Sequence, residues 1–162
     1  MKEARPEDHV LEVGCGSGLV SLELAGQVER LVALDINPHA VRVAREKGVE
    51  VVRSDLFGGI KGRFDLILFN PPYLPTQKSE RSDQWINYAL DGGESGRETI
   101  GRFLAHLADH LRPGGRALLL ISSLTGPEEV EEMAEAAGLA SERVASKGCF
   151  FERLIVLRLR KF

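Results

Sequence analysis

Four consecutive residues, Asn70-Pro71-Pro72-Tyr73, carry the most legible chemistry in this chain. An Asn side chain offers a carbonyl acceptor, and the residue after it can offer its backbone carbonyl. Two prolines stiffen the turn and remove two competing N–H donors. Tyr73 adds a flat ring. The set suits a planar amide or amine, with two N–H groups to be accepted and a face to be stacked on. The nitrogen of such a group is a poor nucleophile because its lone pair is delocalised. Accepting both N–H groups, with the Asn70 side chain and the Pro71 carbonyl, would localise that lone pair, aim it, and carry positive charge developing on nitrogen. Taken alone, Asn-Pro and Pro-Pro also simply punctuate a turn. What precedes them matters: Phe64 to Phe69 is an apolar run that reads as a buried strand. The tetrapeptide thus sits at a strand's carboxyl end, where open α/β sheets bind ligands.

A second group of candidate residues lies upstream. Val10 to Val13 reads as the first strand and leads into Gly14-Cys15-Gly16-Ser17-Gly18, then a helix to about Ala25. Glycines there let backbone approach a ligand closely, and a helix N-terminus favours a negative group. A nicotinamide dinucleotide uses the same geometry, and Asp35 lies about 20 residues on, as that fingerprint asks. Leu19, however, stands where a third dinucleotide glycine is expected. Asp35 ends the second strand, Leu31 to Asp35, and can accept two ribose hydroxyls. Asp55 ends the third and is placed to accept from an adenine amino group, with Leu56 and Phe57 available to line the ring's faces. Each carboxylate by itself is equally a solvated strand end.

The elements that must position these groups alternate as strands and helices, which predicts an α/β chain with a mostly parallel sheet covered on both faces. Asn37 caps a helix with Pro38 in its first turn, and Gly48 closes it. Val49 to Arg53 forms the third strand, and a Gly-rich link from Gly58 to Arg63 leads to the fourth. After Tyr73 comes a polar segment of roughly 25 residues, too long for an idle connection. In it, Trp85 and Tyr88 either stack on substrate or anchor the loop. A helix runs from about Thr99 to Leu111, with Ile100, Phe103, Leu104, Leu107 and Leu111 on one face. Gly114-Gly115 turns into a fifth strand, Ala117 to Ile121. Thr125 and Glu128 are expected to form a capping box around Pro127, on a helix ending near Gly138. The last apolar runs, around Val144 and from Phe150 to Leu159, are close enough to pair as a hairpin.

Glu12-Val13-Gly14-Cys15-Gly16-Ser17-Gly18 resembles the acidic-x-G-x-G-x-G signature of class I methyltransferases, and Asn70 to Tyr73 resembles the Asn-Pro-Pro-Tyr motif of those that alkylate a planar NH2 group. The resemblance implies S-adenosyl-L-methionine as cofactor and a Rossmann-like, seven-stranded sheet ending in an antiparallel hairpin. It also implies a cofactor set of Glu12 (near the ammonium group), Gly14, Gly16, Gly18, Asp35, Ile36, Asp55, Leu56 and Asn70, with Asn70, Pro71 and Tyr73 at the reacting amide. Asn70 to Pro75 and Ala89 to Arg97 together are similar to the HemK family of release-factor glutamine methyltransferases. Phe150-Phe151-Glu152-Arg153-Leu154 is similar to its archaeal and eukaryotic branch, which lacks the helical N-terminal domain of bacterial members. Membership would imply methylation of the Gln in a Gly-Gly-Gln loop of a class I peptide-release factor. A small zinc-binding activator subunit is also implied, docked along the exposed third strand, where Val49, Val51 and Val52 would make an apolar edge. The family carries an acidic-Thr/Ser-Phe motif before the first strand. Here Met1 to Asp8 precede that strand, a departure that leaves closure of the cofactor site open.

Bulk properties narrow the field further. The 162 residues read as a single domain, 1–162, and a net charge of −3 speaks against a broad nucleic-acid-binding face. Cys15 and Cys149 are too few for a disulfide framework and fit no metal site, and Cys15 is better explained by its size than by reactivity. His106 to His110 is a poor match to a metalloprotease helix, so no metal is expected. With no signal peptide and no bilayer-length apolar run, a reducing cytoplasm is the expected setting. Two other readings remain: an adenine-N6 methyltransferase acting on DNA or RNA, disfavoured by the charge and by the lack of a target-recognition domain, and a cofactor-binding scaffold without catalysis. Preferential binding of NAD would revive an oxidoreductase, and lysine methylation of other proteins is open.

Overall fold

The computed structural model describes residues 3–74 and 91–162. Pro75, Trp85, Tyr88, Ala89 and Leu90 lie outside the described residues. The chain runs β1 (His9–Val13), α1 (Leu19–Leu24), β2 (Arg30–Asp35), α2 (Pro38–Glu46), β3 (Val51–Arg53), β4 (Phe64–Phe69), α3 (Glu98–His110), β5 (Leu111–Ser122), α4 (Pro127–Ala136), β6 (Leu139–Cys149) and β7 (Glu152–Lys161). Seven strands form one sheet in the order β3-β2-β1-β4-β5-β7-β6. The β1/β2, β1/β4 and β2/β3 pairs are parallel, and β6/β7 is antiparallel. Strand order reverses at β1, with β2 on one side and β4 on the other, and this is the kind of switch point at which α/β sheets take ligands. Val13 and Phe69 are register partners there, and the chain leaves them at Gly14 and Asn70.

By packing, the chain divides into two compact units, Met1–Phe69 with Asp109–Ala117, and Asn70–Ala108 with Leu118–Phe162. In the first, Val10, Leu11, Ala33, Leu34, Leu66 and Ile67 are buried in strands apolar on both faces, as a covered parallel sheet requires. The amino ends of its strands are held by ion pairs. Arg116 grips the Asp8 carboxylate at 2.6 and 3.1 Å, and both side chains are buried. The Asp65 carboxylate accepts from the His9 N–H at 2.9 Å and from Arg112 at 2.7 Å. Burial alone would push the Asp8 carboxyl up, but Arg116 and the Arg5 N–H together hold it below its ordinary value.

Several expectations hold in detail. Asn37 caps α2, its side-chain oxygen accepting from the His39 N–H at 2.9 Å, with Pro38 at the first turn and Gly48 at φ 89° just past the end. Buried Ile100, Phe103, Leu104 and Leu107 mark the apolar face of α3.

Others are corrected. There is no Thr125 cap: the Thr125 hydroxyl donates to the Ser122 carbonyl at 2.7 Å, and Gly126, at φ 69°, takes the N-cap position with no side-chain cap bond. Ser and Thr readily make such local bonds instead of capping. The Glu129 carboxylate folds over Gly126, into space a Cβ would fill. β5 starts at Leu111 rather than Ala117, and β6 covers Leu139–Cys149 rather than a short run around Val144. β3 is shorter than expected, and its apolar edge shrinks, because Val49 and Val51 are buried with Ala33, Val41 and Ala44 and only Val52 is exposed.

Candidate functional site

In the first unit, Gly14, Gly16 and Gly18 have φ of 67°, 54° and 76°, a left-handed run closed to most side chains. A Cβ on Gly18 would lie 3.0 Å from Val49 Cγ2 and 3.3 Å from Ala44 Cβ, so the loop packs directly onto α2 and the connection that leads to β3. A Cβ on Gly16 would meet nothing within 4 Å, and that backbone faces open space. Asp35 ties the loop to the end of β2, one oxygen accepting from the Gly16 N–H and the other from the Asn37 N–H, each at 2.8 Å. Each carboxylate oxygen keeps a second lone pair, so the group can still accept hydroxyls.

Glu12 is 6% exposed and accepts a hydrogen bond from the Ser21 hydroxyl. Burial pushes its carboxyl above the ordinary range, the Ser21 contacts oppose this, and Asp35 adds to it. A buried acid so placed is stabilised by an approaching cation. The Cys15 thiol is pushed up to about 12, by burial first and then by Asp35 and Glu12, so it is inert as a nucleophile.

The end of β3 is shaped by a residue that sequence reasoning passed over. Buried Ser54 donates its hydroxyl to the Leu56 carbonyl and accepts from the Gly59 N–H, each at 2.9 Å, while the Gly58 N–H bonds the Asp55 carbonyl at 3.0 Å. Leu56, at φ 46°, is the sole non-glycine with positive φ among the described residues, a strained conformation of the kind that collects at ligand sites. The signal was a Ser followed by paired glycines, the composition of a Ser/Thr turn. Arg53 covers the Ile36 carbonyl with a 3.2 Å bond. Phe57 departs from expectation: it is buried and stacks flat on His110, centroids 4.3 Å apart at 7°, so it is not a free ring face. His110 Nδ1 lies 3.0 Å from the Gly62 carbonyl, and no group of three or more metal-ligating side chains occurs among the described residues. A cavity of about 390 Å³ lies elsewhere on this unit, lined by Pro38, Val41, Arg42, Arg45, Glu46 and Arg53.

In the second unit, Asn70 is exposed and Pro71 buried, so the side chain faces outward from an anchored backbone. A Cβ on Gly96 would sit 2.5 Å from the Tyr73 carbonyl, so only glycine allows the approach. The Gly92 N–H bonds the Leu74 carbonyl at 2.9 Å. Arg97 reaches the Thr125 carbonyl at 2.5 Å. The Ser122 hydroxyl donates to the Glu152 carboxylate, and the Arg153 N–H donates to the Ser123 hydroxyl at 3.0 Å. Burial, then Glu152 and Cys149, push the Tyr73 hydroxyl above its ordinary range. Three motifs far apart in sequence, around Tyr73, Gly96 and Glu152, thus meet at one turn, Ser122 to Thr125. A turn between Ile121 and Pro127 was expected, but no local pattern announced that these motifs meet at it.

The strand order, the glycine loop after β1 and the acids at the ends of β1, β2 and β3 define a class I methyltransferase. The family profile of the methyltransferase small domain matches residues 1–150. A Methanocaldococcus jannaschii protein provisionally named protein N5-glutamine methyltransferase MJ0928 is 42% identical over 155 residues, covering 91% of this chain and 79% of that protein. A release factor glutamine methyltransferase of Deinococcus radiodurans is 34% identical over 146 residues, covering 83% of this chain and 52% of the longer relative. Among solved structures, the E. cuniculi Mtq2–Trm112 complex, described as responsible for methylation of the termination factor eRF1, matches with a TM-score of 0.81 at 26% identity, covering 99% of this chain and 89% of that one. The chain belongs to the methyltransferase small domain family and, within it, to the HemK family of protein-glutamine methyltransferases.

Proposed function

We propose that this chain, acting as a single catalytic domain in the cytoplasm, methylates the side-chain amide of the Gln in the Gly-Gly-Gln loop of a class I peptide-release factor. The observation that carries this reading is the exposed Asn70 on a Pro-Pro turn, in a chain 42% identical to a protein provisionally named a protein N5-glutamine methyltransferase. S-adenosyl-L-methionine, when bound, supplies an electrophilic methyl group on a sulfonium. The residues present fit it. Gly16 leaves open space beside the loop, Asp35 has lone pairs left for ribose hydroxyls, and buried Glu12 favours an ammonium group. Asp55 would accept from the adenine amino group, with Leu56 against the ring and Gly14, Gly18 and Ile36 shaping the walls.

The Asn70 side-chain carbonyl and the Pro71 backbone carbonyl accept the two amide N–H groups of the acceptor, and Tyr73 holds its plane. That arrangement would localise the nitrogen lone pair and stabilise positive charge on nitrogen as an N–C bond forms and the methyl–sulfur bond breaks, leaving sulfur as a neutral thioether. The methylated nitrogen then loses a proton to water, so no strong base is required.

We also infer a small zinc-binding activator subunit along the β3 edge. In support, β3 pairs with β2 on one side, Val52 is exposed, and the E. cuniculi relative was solved as a complex with Trm112. Co-purification without a stable complex would remove that partner. The test of function is transfer of labelled methyl to a release factor with its Gly-Gly-Gln glutamine intact or replaced, activator subunit included. Label that requires this glutamine supports the reading. Bound cofactor without label on either protein overturns it.

A further inference from the structure

The turn joining β6 and β7 carries the most exposed large apolar side chains among the described residues, Phe150 at 103% and Phe151 at 96%. Two adjacent aromatic rings left wholly in water mark an interaction site more often than an accident of folding. The turn is held firmly at its base. Cys149 and Glu152 close the ladder as register partners, Glu152 accepts from Ser122, and the Arg153 N–H bonds Ser123. Those serines belong to the same turn that takes Arg97 at Thr125, and Glu152 acts electrostatically on Tyr73. The rings therefore stand on the framework that carries Tyr73. Lys147 and Arg153, both exposed, flank them on the two strands and give an aromatic centre with a charged rim, the composition of a protein-binding hot spot. An isolated amide needs only Asn70, Pro71 and Tyr73. A folded protein that must present one glutamine needs a second point of attachment.

We propose that Phe150 and Phe151 anchor the protein that carries the acceptor glutamine, entering an apolar hollow beside its glutamine loop while Lys147 and Arg153 meet carboxylates at the rim. This rests on the function proposed above. Both side chains are solvent-exposed, so the Phe150→Ser/Phe151→Ser variant removes the anchor without touching the core. The experiment compares it with the unaltered enzyme, activator subunit present, on an intact release factor and on a short peptide centred on Gly-Gly-Gln. The expected result is a KM for the intact protein raised at least about tenfold, with kcat within about twofold and peptide kinetics unmoved. The Phe150→Leu/Phe151→Leu variant is expected to restore much of the loss. An unchanged KM for the intact protein overturns the proposal. In that case, loss of self-association would assign the rings to a second copy of this chain, and loss of binding to phosphatidylglycerol vesicles would assign them to a membrane. An equal loss on peptide and protein also overturns it. Absence of transfer by the unaltered enzyme overturns the functional reading, and this proposal with it.

Discussion

The glycine-loop region and the Tyr73 region solve opposite problems. Around Gly14 to Leu56, candidate groups come from successive strand ends and are tied down by hydrogen bonds: Asp35 takes the amides of Gly16, 19 residues away, and of nearby Asn37, and Ser54 staples its own turn. Acidic Glu12 is buried, and the Cys15 thiol is suppressed. Around Tyr73 the partners come from distant segments, Arg97 reaching Thr125 across 28 residues and Ser122 reaching Glu152 across 30. There Asn70, the side chain proposed to accept from the amide, is exposed, as are Phe150 and Phe151. A tied-down loop with one open backbone face suits one small ligand. An exposed group on a braced framework suits a large partner that brings its own surface. Order and exposure thus differ between the two regions in the way the proposed function requires.

The sharpest way to break this contrast is Asn70→Ala. Losing one acceptor at a developing charge is expected to lower kcat by about 10²–10³-fold, while cofactor affinity measured by titration stays nearly intact. Parallel loss of both would erase the distinction. Asp35→Ala is expected to do the reverse, weakening S-adenosylmethionine binding by roughly 10–100-fold and lowering the melting temperature as the Gly16 and Asn37 amides lose their acceptor. An affinity change within noise would remove Asp35 from the site.

Smaller effects sharpen the picture within the loop. Gly18→Ala must adopt positive φ and press on Val49 and Ala44, which should cost about 1–3 kcal/mol in a denaturant titration. Gly16→Ala carries the φ strain without the clash and should cost about 1 kcal/mol, with its main effect on cofactor affinity. Finally, two acids of the first unit set opposite pH slopes. Asp8 has its native pKa lowered, so its contribution is present above its unfolded value and is lost as pH falls through the native one. Glu12 has its native pKa raised, so the folded state holds a proton the unfolded state releases, and stability falls as pH rises from the ordinary value through the native one. Chemical unfolding across the acid range should show Glu12→Gln flattening the second slope and leaving the first.

Much was legible in advance for a reason that differs from element to element. β1 and β4 announced themselves because parallel strands covered on both faces are predominantly apolar runs. Asn37-Pro38 was readable because a cap and its first turn are made by neighbours in sequence. The Thr125 cap failed on the same scale, since two local hydrogen bonds competed for one hydroxyl and the bond to the Ser122 carbonyl won. Phe57 looked like a ring face only until His110, from a helix far along the chain, was found stacked on it.

From the chain alone came the glycine loop, the acids at successive strand ends and Asn70 on its proline turn, because each depends on residue type and on spacing within a single strand-to-loop step. The tertiary structure decided which of those groups are buried and which exposed. It set the direction of the Glu12 and Asp8 shifts, the open face at Gly16, and the gathering of Tyr73, Gly96, Thr125 and Glu152 about one turn. Those properties depend on packing between segments remote in sequence, and no local pattern encodes which remote neighbour arrives.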